Sequence, residues 1–195
     1  MKMNENGRSM VEMLGVLAII GVLSAGGLAG YSKAMFKHKL NSTMDQITML
    51  VTNIRTMYGT QGNYSGLNNG SAVNLGIVPA VMDGGSGSGS ARGLTNPFKG
   101  GVTITTTDAT TGSAASGTSA TGFKLTYDGL PTEACIALAT ADFGSGAGSG
   151  FIGVEAENSK ITTKAIGANE GTALSMDNAI AGCNKSTNTV SWYFY

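Results

Sequence analysis

The sequence predicts an α+β protein: a long N-terminal α-helix, apolar in its first half and amphipathic in its second, packed on a small antiparallel β-sheet. Three observations predict it. Met13 to Ser32 carries no charge and is mostly Leu, Val, Ile, Ala and Gly. From Phe36 to Tyr58 apolar residues recur at helical spacing. Beyond residue 100, short β-branched and aromatic runs alternate with Gly, Ser and Thr loops.

The run from Met13 to Ser32, as a helix, spans about 30 Å, the hydrocarbon thickness of a bilayer. Three readings compete for it: a cleaved secretory signal with "VLSAGG" as its small-residue cleavage region, a plain single-pass anchor, or the first half of a longer helix. The next stretch favours the last. Phe36, Leu40, Met44, Ile47, Val51, Ile54 and Tyr58 form one stripe, with Asn41, Asp45, Thr48, Thr52 and Arg55 on the other faces. No proline precedes Pro79, and Gly59 is placed to end the helix. One helix from about Ser9 to Tyr58 follows, with residues 8–32 as a membrane or filament-core half and 33–58 as an amphipathic half. Glycine weakens a helix by about 1 kcal/mol per residue in water. Gly26 and Gly30 nonetheless sit in a G-x-x-x-G spacing that permits close helix approach, although glycine is also simply common in membrane helices.

Residues 59–195 make the globular part. Residues 59–100 are polar, Gly-rich and irregular, and read as the connection leaving the helix. "VTITTT" (102–107) and "FKLTYD" (123–128) read as paired strands. "PTEACIALATADF" reads as a short helix with Pro131 in its first turn and Thr132 or Glu133 near the cap. "FIGVE" and "KITTKAI" read as strands, "TALSMDNAIAGC" as a second short helix, and "TVSWYFY" as a closing strand. Trp192 to Tyr195 read either as strand packing or as aromatics for an interface.

Composition bounds the function. Twelve basic residues balance twelve acidic ones, so no strongly basic surface argues for nucleic acid. Charged residues are 12% and hydrophobic ones 42%, with 30 glycines: a loop-rich, exported composition rather than a disordered one. Two cysteines, Cys135 and Cys183, fit one disulfide in an exported chain; two buried thiols are the alternative.

Glu12 is the anomaly. It stands alone at the mouth of the apolar run, and an unpaired carboxylate in such a place costs several kcal/mol. It either caps the helix start or awaits a partner. Here the residues resemble a family. "GRSMVEMLGVLAIIGVLSAG" is similar to the N-terminus of type IV pilins and pseudopilins: a short leader ending in Gly, four residues, a Glu, then an apolar helix. "TNPFKGGVTI", "GFKLTYDGLPTEACIAL", the second cysteine and the final strand resemble, more loosely, the globular domains of the IVb class.

The resemblance implies a leader of residues 1–7, cleavage by a prepilin peptidase between Gly7 and Arg8, and a new α-amine on Arg8 that pairs with Glu12 of a neighbouring subunit. It implies a homopolymer of pilin subunits, an assembly platform with its ATPase, and an inner-membrane store that precedes an extracellular filament. In two respects the chain departs from the family. Arg8 stands where an apolar residue is usual, and the leader is shorter than IVb leaders. The lysines Lys33, Lys37 and Lys39 also outweigh Lys2 and Arg8, so the positive-inside rule alone would put the N-terminus outside.

Catalysis finds no support in the residues. His38 is the sole histidine and lies on the long helix between Lys37 and Lys39, away from any nucleophile. Metal spacing of Cys and His is missing. "GSGFIG" (148–153) follows a Gly/Ser loop and opens no helix, so it fails as a dinucleotide motif. Asp128, Asp142 and Asp177 lack the dense spacing of a calcium loop. The reading is a structural subunit, not an enzyme, with no cofactor. A type II secretion pseudopilin or minor pilin is the runner-up, and a membrane-anchored binding domain the rival of another class.

Overall fold

The computed structural model describes residues 6–144, 150–156 and 171–195, with side chains from Met10 onward. Most of the expected leader and the strand expected at 160–166 lie outside the described residues. Helix α1 runs Asn6–Tyr58 and ends where Gly59 was expected to stop it. The chain divides into two units, Met1–Lys39 and Leu40–Tyr195.

In the first unit, α1 is apolar on every side. Each large apolar side chain from Met10 to Tyr31 is more than half exposed. By length and composition this helix can cross a membrane.

In the second unit, the remainder of α1 buries Thr43, Ile47, Leu50, Val51, Ile54 and Tyr58. All but Thr43 join one core with Ile104, Phe123, Leu125, Trp192 and Phe194. Of the expected stripe Ile47, Val51, Ile54 and Tyr58 are buried and Leu40 and Met44 half-buried against the core, with Leu50 and Thr43 added. Asn41, Asp45, Thr48 and Thr52 face outward as expected. Arg55 does not: its guanidinium carbon sits over the Phe194 ring, 5.7 Å from the centroid, where the negative face of the ring attracts the cation.

The connection after α1 is less irregular than expected. Helix α2 (Asn69–Asn74) starts with a capping box in which the Asn68 side chain accepts the Ser71 N–H and Ser71 Oγ accepts the Asn68 N–H. A two-residue strand, β1 (Leu94–Thr95), follows. Strands β2 (Gly101–Thr107) and β3 (Gly122–Leu130) lie where β-branched alternation placed them. Helix α3 (Thr132–Ala139) takes Pro131 as its N-cap residue and stops four residues short of Phe143. Strand β4 (Phe151–Ala156), helix α4 (Met176–Gly182) and strand β5 (Asn188–Phe194) complete the chain.

The five strands form one antiparallel sheet in the order β1-β2-β3-β5-β4. Phe123 lies opposite Phe194, Leu125 opposite Trp192, and Tyr127 opposite Val190. These inward residues are fully buried, as the period of two requires. The pairing shifts between Tyr127 and Leu130, where Gly129 takes a positive φ of 67°. The fold class expected from the sequence is the fold observed.

Candidate functional site

Two regions carry residues singled out by sequence. In the first unit, Gly7 and Arg8 fall in the opening turns of α1, and the surroundings of the Arg8 side chain lie outside the described residues. Glu12 lies one turn further on and is exposed. With α1 beginning at Asn6, Glu12 lies in its second turn. Gly26 and Gly30 both have open space where a Cβ would stand, with no atom within 4 Å. The helix surface there is a smooth notch flanked by exposed apolar side chains. Ser32 Oγ donates to the Leu28 carbonyl at 3.0 Å, so the last hydroxyl of the apolar run is satisfied inside the helix. Lys33, Lys37 and His38, which follow, are exposed.

In the second unit, Cys135 of α3 and Cys183 at the end of α4 form a disulfide with Cα atoms 5.8 Å apart, and both residues are buried. The expected pairing is thus the one present. The bond ties α3 and α4 together beside β5, and Thr132 Oγ1 adds a hydrogen bond to the Lys185 carbonyl at 2.8 Å.

The outward face of the sheet is polar. Tyr193 donates to Glu155 at 2.7 Å, the Lys124 ammonium lies 5.7 Å from the Tyr193 ring centroid, and Thr126 and Ser191 share a hydroxyl hydrogen bond at 2.9 Å. Burial pushes the Tyr193 phenol well above the usual range, and the Glu155 carboxylate adds to that. Trp192 and Phe194 point the other way, into the core, so the closing aromatics pack the strand; Tyr195 alone among them is half-exposed.

Three groups of sequence candidates do not converge. Asp128 on β3 accepts the Gly101 N–H at the start of β2, and Asp142 accepts the Gly144 N–H at 2.9 Å within its own turn. Among the described residues no three His, Cys, Asp or Glu side chains gather to hold a metal. Phe151–Gly153 of "GSGFIG" lie inside β4, and residues 148 and 149 lie outside the described residues.

Sequence reading missed two polar anchors. Asn69 of α2 donates to the Arg92 and Val102 carbonyls at 2.8 and 3.0 Å and accepts the Ile104 N–H at 2.7 Å. Asp83 and Arg92 pair through two hydrogen bonds, at 2.8 and 2.5 Å, across the Gly/Ser loop. The Arg92 guanidinium, helped by the Gly85 N–H, holds the Asp83 carboxyl below the usual range. An acid and a base bracketing "GGSGSGSA" was the available signal for the second; nothing marked the first.

Comparison with known proteins bears on these two regions. The major structural subunits of the bundle-forming pilus of Escherichia coli O111:H- and of E. coli O127:H6 are each 27% identical over 196 residues, covering 98% of this chain and 95% of theirs. The crystal structure of a type IV b pilin from Salmonella typhi superposes with a TM-score of 0.53 at 16% identity, covering 78% of this chain and 97% of that one. The family described as PilS N terminal matches residues 37–194, which takes in the amphipathic helix, the whole sheet and both disulfide cysteines. By that match the chain belongs to the PilS N-terminal family, and its fold is that of a type IV pilin.

Proposed function

We propose that the chain is the structural subunit of a type IV pilus, cut after Gly7 and polymerised through its N-terminal helix into a cell-surface filament. One observation carries the reading: from Met10 to Tyr31 the helix offers large apolar side chains that are each more than half exposed. Each such side chain gains about 1.5–3 kcal/mol on leaving water. A bilayer supplies the cover before assembly, and helices of neighbouring subunits supply it afterwards. The major pilus subunits that the chain resembles along nearly its full length support the same reading.

In this reading residues 1–7 are the leader, 8–32 the membrane and filament-core half of the helix, 33–58 the amphipathic half and 59–195 the exposed domain. A prepilin peptidase hydrolyses the Gly7–Arg8 peptide bond and releases the Arg8 α-amine. In the filament the Glu12 carboxylate of one subunit takes that amine from its neighbour. Breaking a buried ion pair costs about 3–5 kcal/mol, so helices out of register are rejected. Gly26 and Gly30 let neighbouring helices approach. The subunit waits in the inner membrane, a platform and its ATPase extract it, and the filament stands outside the cell. The chain itself performs no chemistry.

The mature N-terminus tests the reading. Mass spectrometry of sheared surface material should give a chain starting at Arg8, and electron microscopy should show fibres. A start near Gly26 returns a secretory signal, and an intact Met1 returns a plain anchor.

A further inference from the structure

We infer that the Val81 side chain of one subunit inserts into a groove on the next, between helix α1 and Phe143, as a contact between globular domains in the fibre. The inference rests on the filament reading given above.

The groove is a cavity of about 170 Å³ lined by Thr48, Val51, Thr52 and Arg55 of α1, by Phe143 beyond α3 and by Phe194 of β5. Ligand pockets run about 300–1,000 Å³, so this one has room for a single side chain rather than a cofactor. The Thr48 and Thr52 hydroxyls donate to the Met44 and Thr48 carbonyls at 3.0 and 2.8 Å, so both donors stay satisfied when an apolar side chain enters.

Val81 has the opposite character. It is 81% exposed, the highest value of any large apolar side chain among the described residues. The 3-10 turn that carries it, Ala80–Met82, is anchored: Pro79 precedes it, the Met82 N–H donates to the Pro79 carbonyl at 2.9 Å, and Met82 is fully buried. A β-branched side chain on an anchored turn loses little freedom on docking.

The sheet order sets the two features apart. Asp83 bridges to Leu94 of β1, so the Val81 turn lies at the first edge of the order β1-β2-β3-β5-β4. Phe194 belongs to β5 and Phe143 packs on Trp192 of the same strand, so the groove lies toward the other edge. One subunit therefore carries a projection toward one edge and a recess toward the other. Such a contact is heterologous: it repeats from copy to copy, as a fibre requires. The exposed Met176 and Ile180 of α4 do not serve as the projection, because α4 packs against β4, on the groove's own side. Charge matches as well. Asp45 precedes and Arg55 ends the groove's stretch of α1, while Asp83 and Arg92 pair beside the Val81 turn, so the acid and base of one surface can face the base and acid of the other.

The test uses the full chain in cells that form the filament. Val81→Cys and Thr52→Cys are expressed together with an excess of the natural chain, and the sheared filaments are oxidised. A covalent dimer joining positions 81 and 52 should form, located by peptide mass spectrometry, and neither variant alone should give a dimer. Filaments that contain both variants and give no such dimer overturn the contact. So does a dimer of Val81→Cys with itself, which would be an isologous contact, or a Val81→Cys chain linked to a different protein. Val81→Asp, at an exposed position, should leave the melting temperature of the chain unchanged and lower filament yield at least about tenfold. Unchanged yield overturns the inference. A natural chain that forms no filament overturns the pilus reading itself, a result distinct from filaments without the crosslink.

Discussion

The side-chain carbonyl of Asn69 accepts the backbone N–H of Ile104 at 2.7 Å while its amide donates to the Val102 carbonyl, so one side chain stands where another strand would pair with β2. β1 covers only Gly101 and Val102, and Asn69 continues the ladder beyond it. An open sheet edge invites pairing with another chain. Leaving a buried backbone group without a partner costs about 1–3 kcal/mol. Asn69→Ala should therefore destabilise the domain by about 3 kcal/mol, seen as a lower urea midpoint at unchanged slope. Asn69→Asp restores the acceptor but neither donor and should recover only part of the loss.

The Cys135–Cys183 bond closes a loop with a sequence separation of 48. In the chain-entropy account such a loop is worth about 4 kcal/mol, less any native strain. Cys135→Ala/Cys183→Ala should lower stability by up to that amount and open residues 171–195 to protease first. Unchanged protease resistance would remove the staple from the account.

Tyr64, Tyr127 and Tyr193 should titrate late in an alkaline ultraviolet titration. Burial raises Tyr64, Tyr127 and Tyr193; Glu155 adds to the rise at Tyr193, and Arg55 opposes it at Tyr64. A phenol whose folded pKa is raised stabilises the fold fully below its unfolded pKa of about 10, and loses that contribution as pH climbs toward the folded value. Cooperative unfolding above pH ~10 should release all three phenols together. Tyr193→Phe should remove one of the late phenols and leave the other two late.

Glu12→Gln keeps size and hydrogen bonding but removes the charge. The variant should be processed to Arg8 at the natural rate, yet form ordered filaments at least about tenfold more slowly, in proportion to a lost buried ion pair. Normal processing with normal assembly would count against the Glu12–amine pairing.

Gly26 and Gly30 have room for a side chain in the single subunit. Gly26→Ala/Gly30→Ala should raise helicity in detergent, by up to about 1 kcal/mol per site in water-like surroundings. Gly26→Leu/Gly30→Leu should leave membrane insertion intact and reduce filament yield, because the notch between neighbouring helices is then filled.

Periodic patterns made most of the fold legible. The 3.6-residue stripe found α1 and most of its buried face, alternation and β-branching found β2, and short β-branched or aromatic runs found β3, β4 and β5. Features held by single side chains across long sequence gaps were not legible. Asn69 meets Ile104 across a sequence separation of 35, and its neighbour Gly70 is required because a Cβ there would lie 2.6 Å from the Gly89 nitrogen. No local pattern encodes such a meeting. Arg55 was misplaced for a related reason: its position on the wheel is lateral, and only the arrival of Phe194 and Tyr64 draws it inward. Glu12 stood out in the sequence because it interrupts an apolar surrounding.

The strand order also dictates a timetable. β5, made after every other described strand, inserts between β3 and β4 and hydrogen-bonds to both. Until it arrives, β4 has no neighbour among the described strands and the inner face of β3 lacks Trp192 and Phe194. A chain emerging in order from a translocation channel can therefore assemble β1, β2 and β3 early, but it must keep β4 waiting. β5 thus completes the sheet, and Cys183 lies in the same last-made stretch, just ahead of it in the chain.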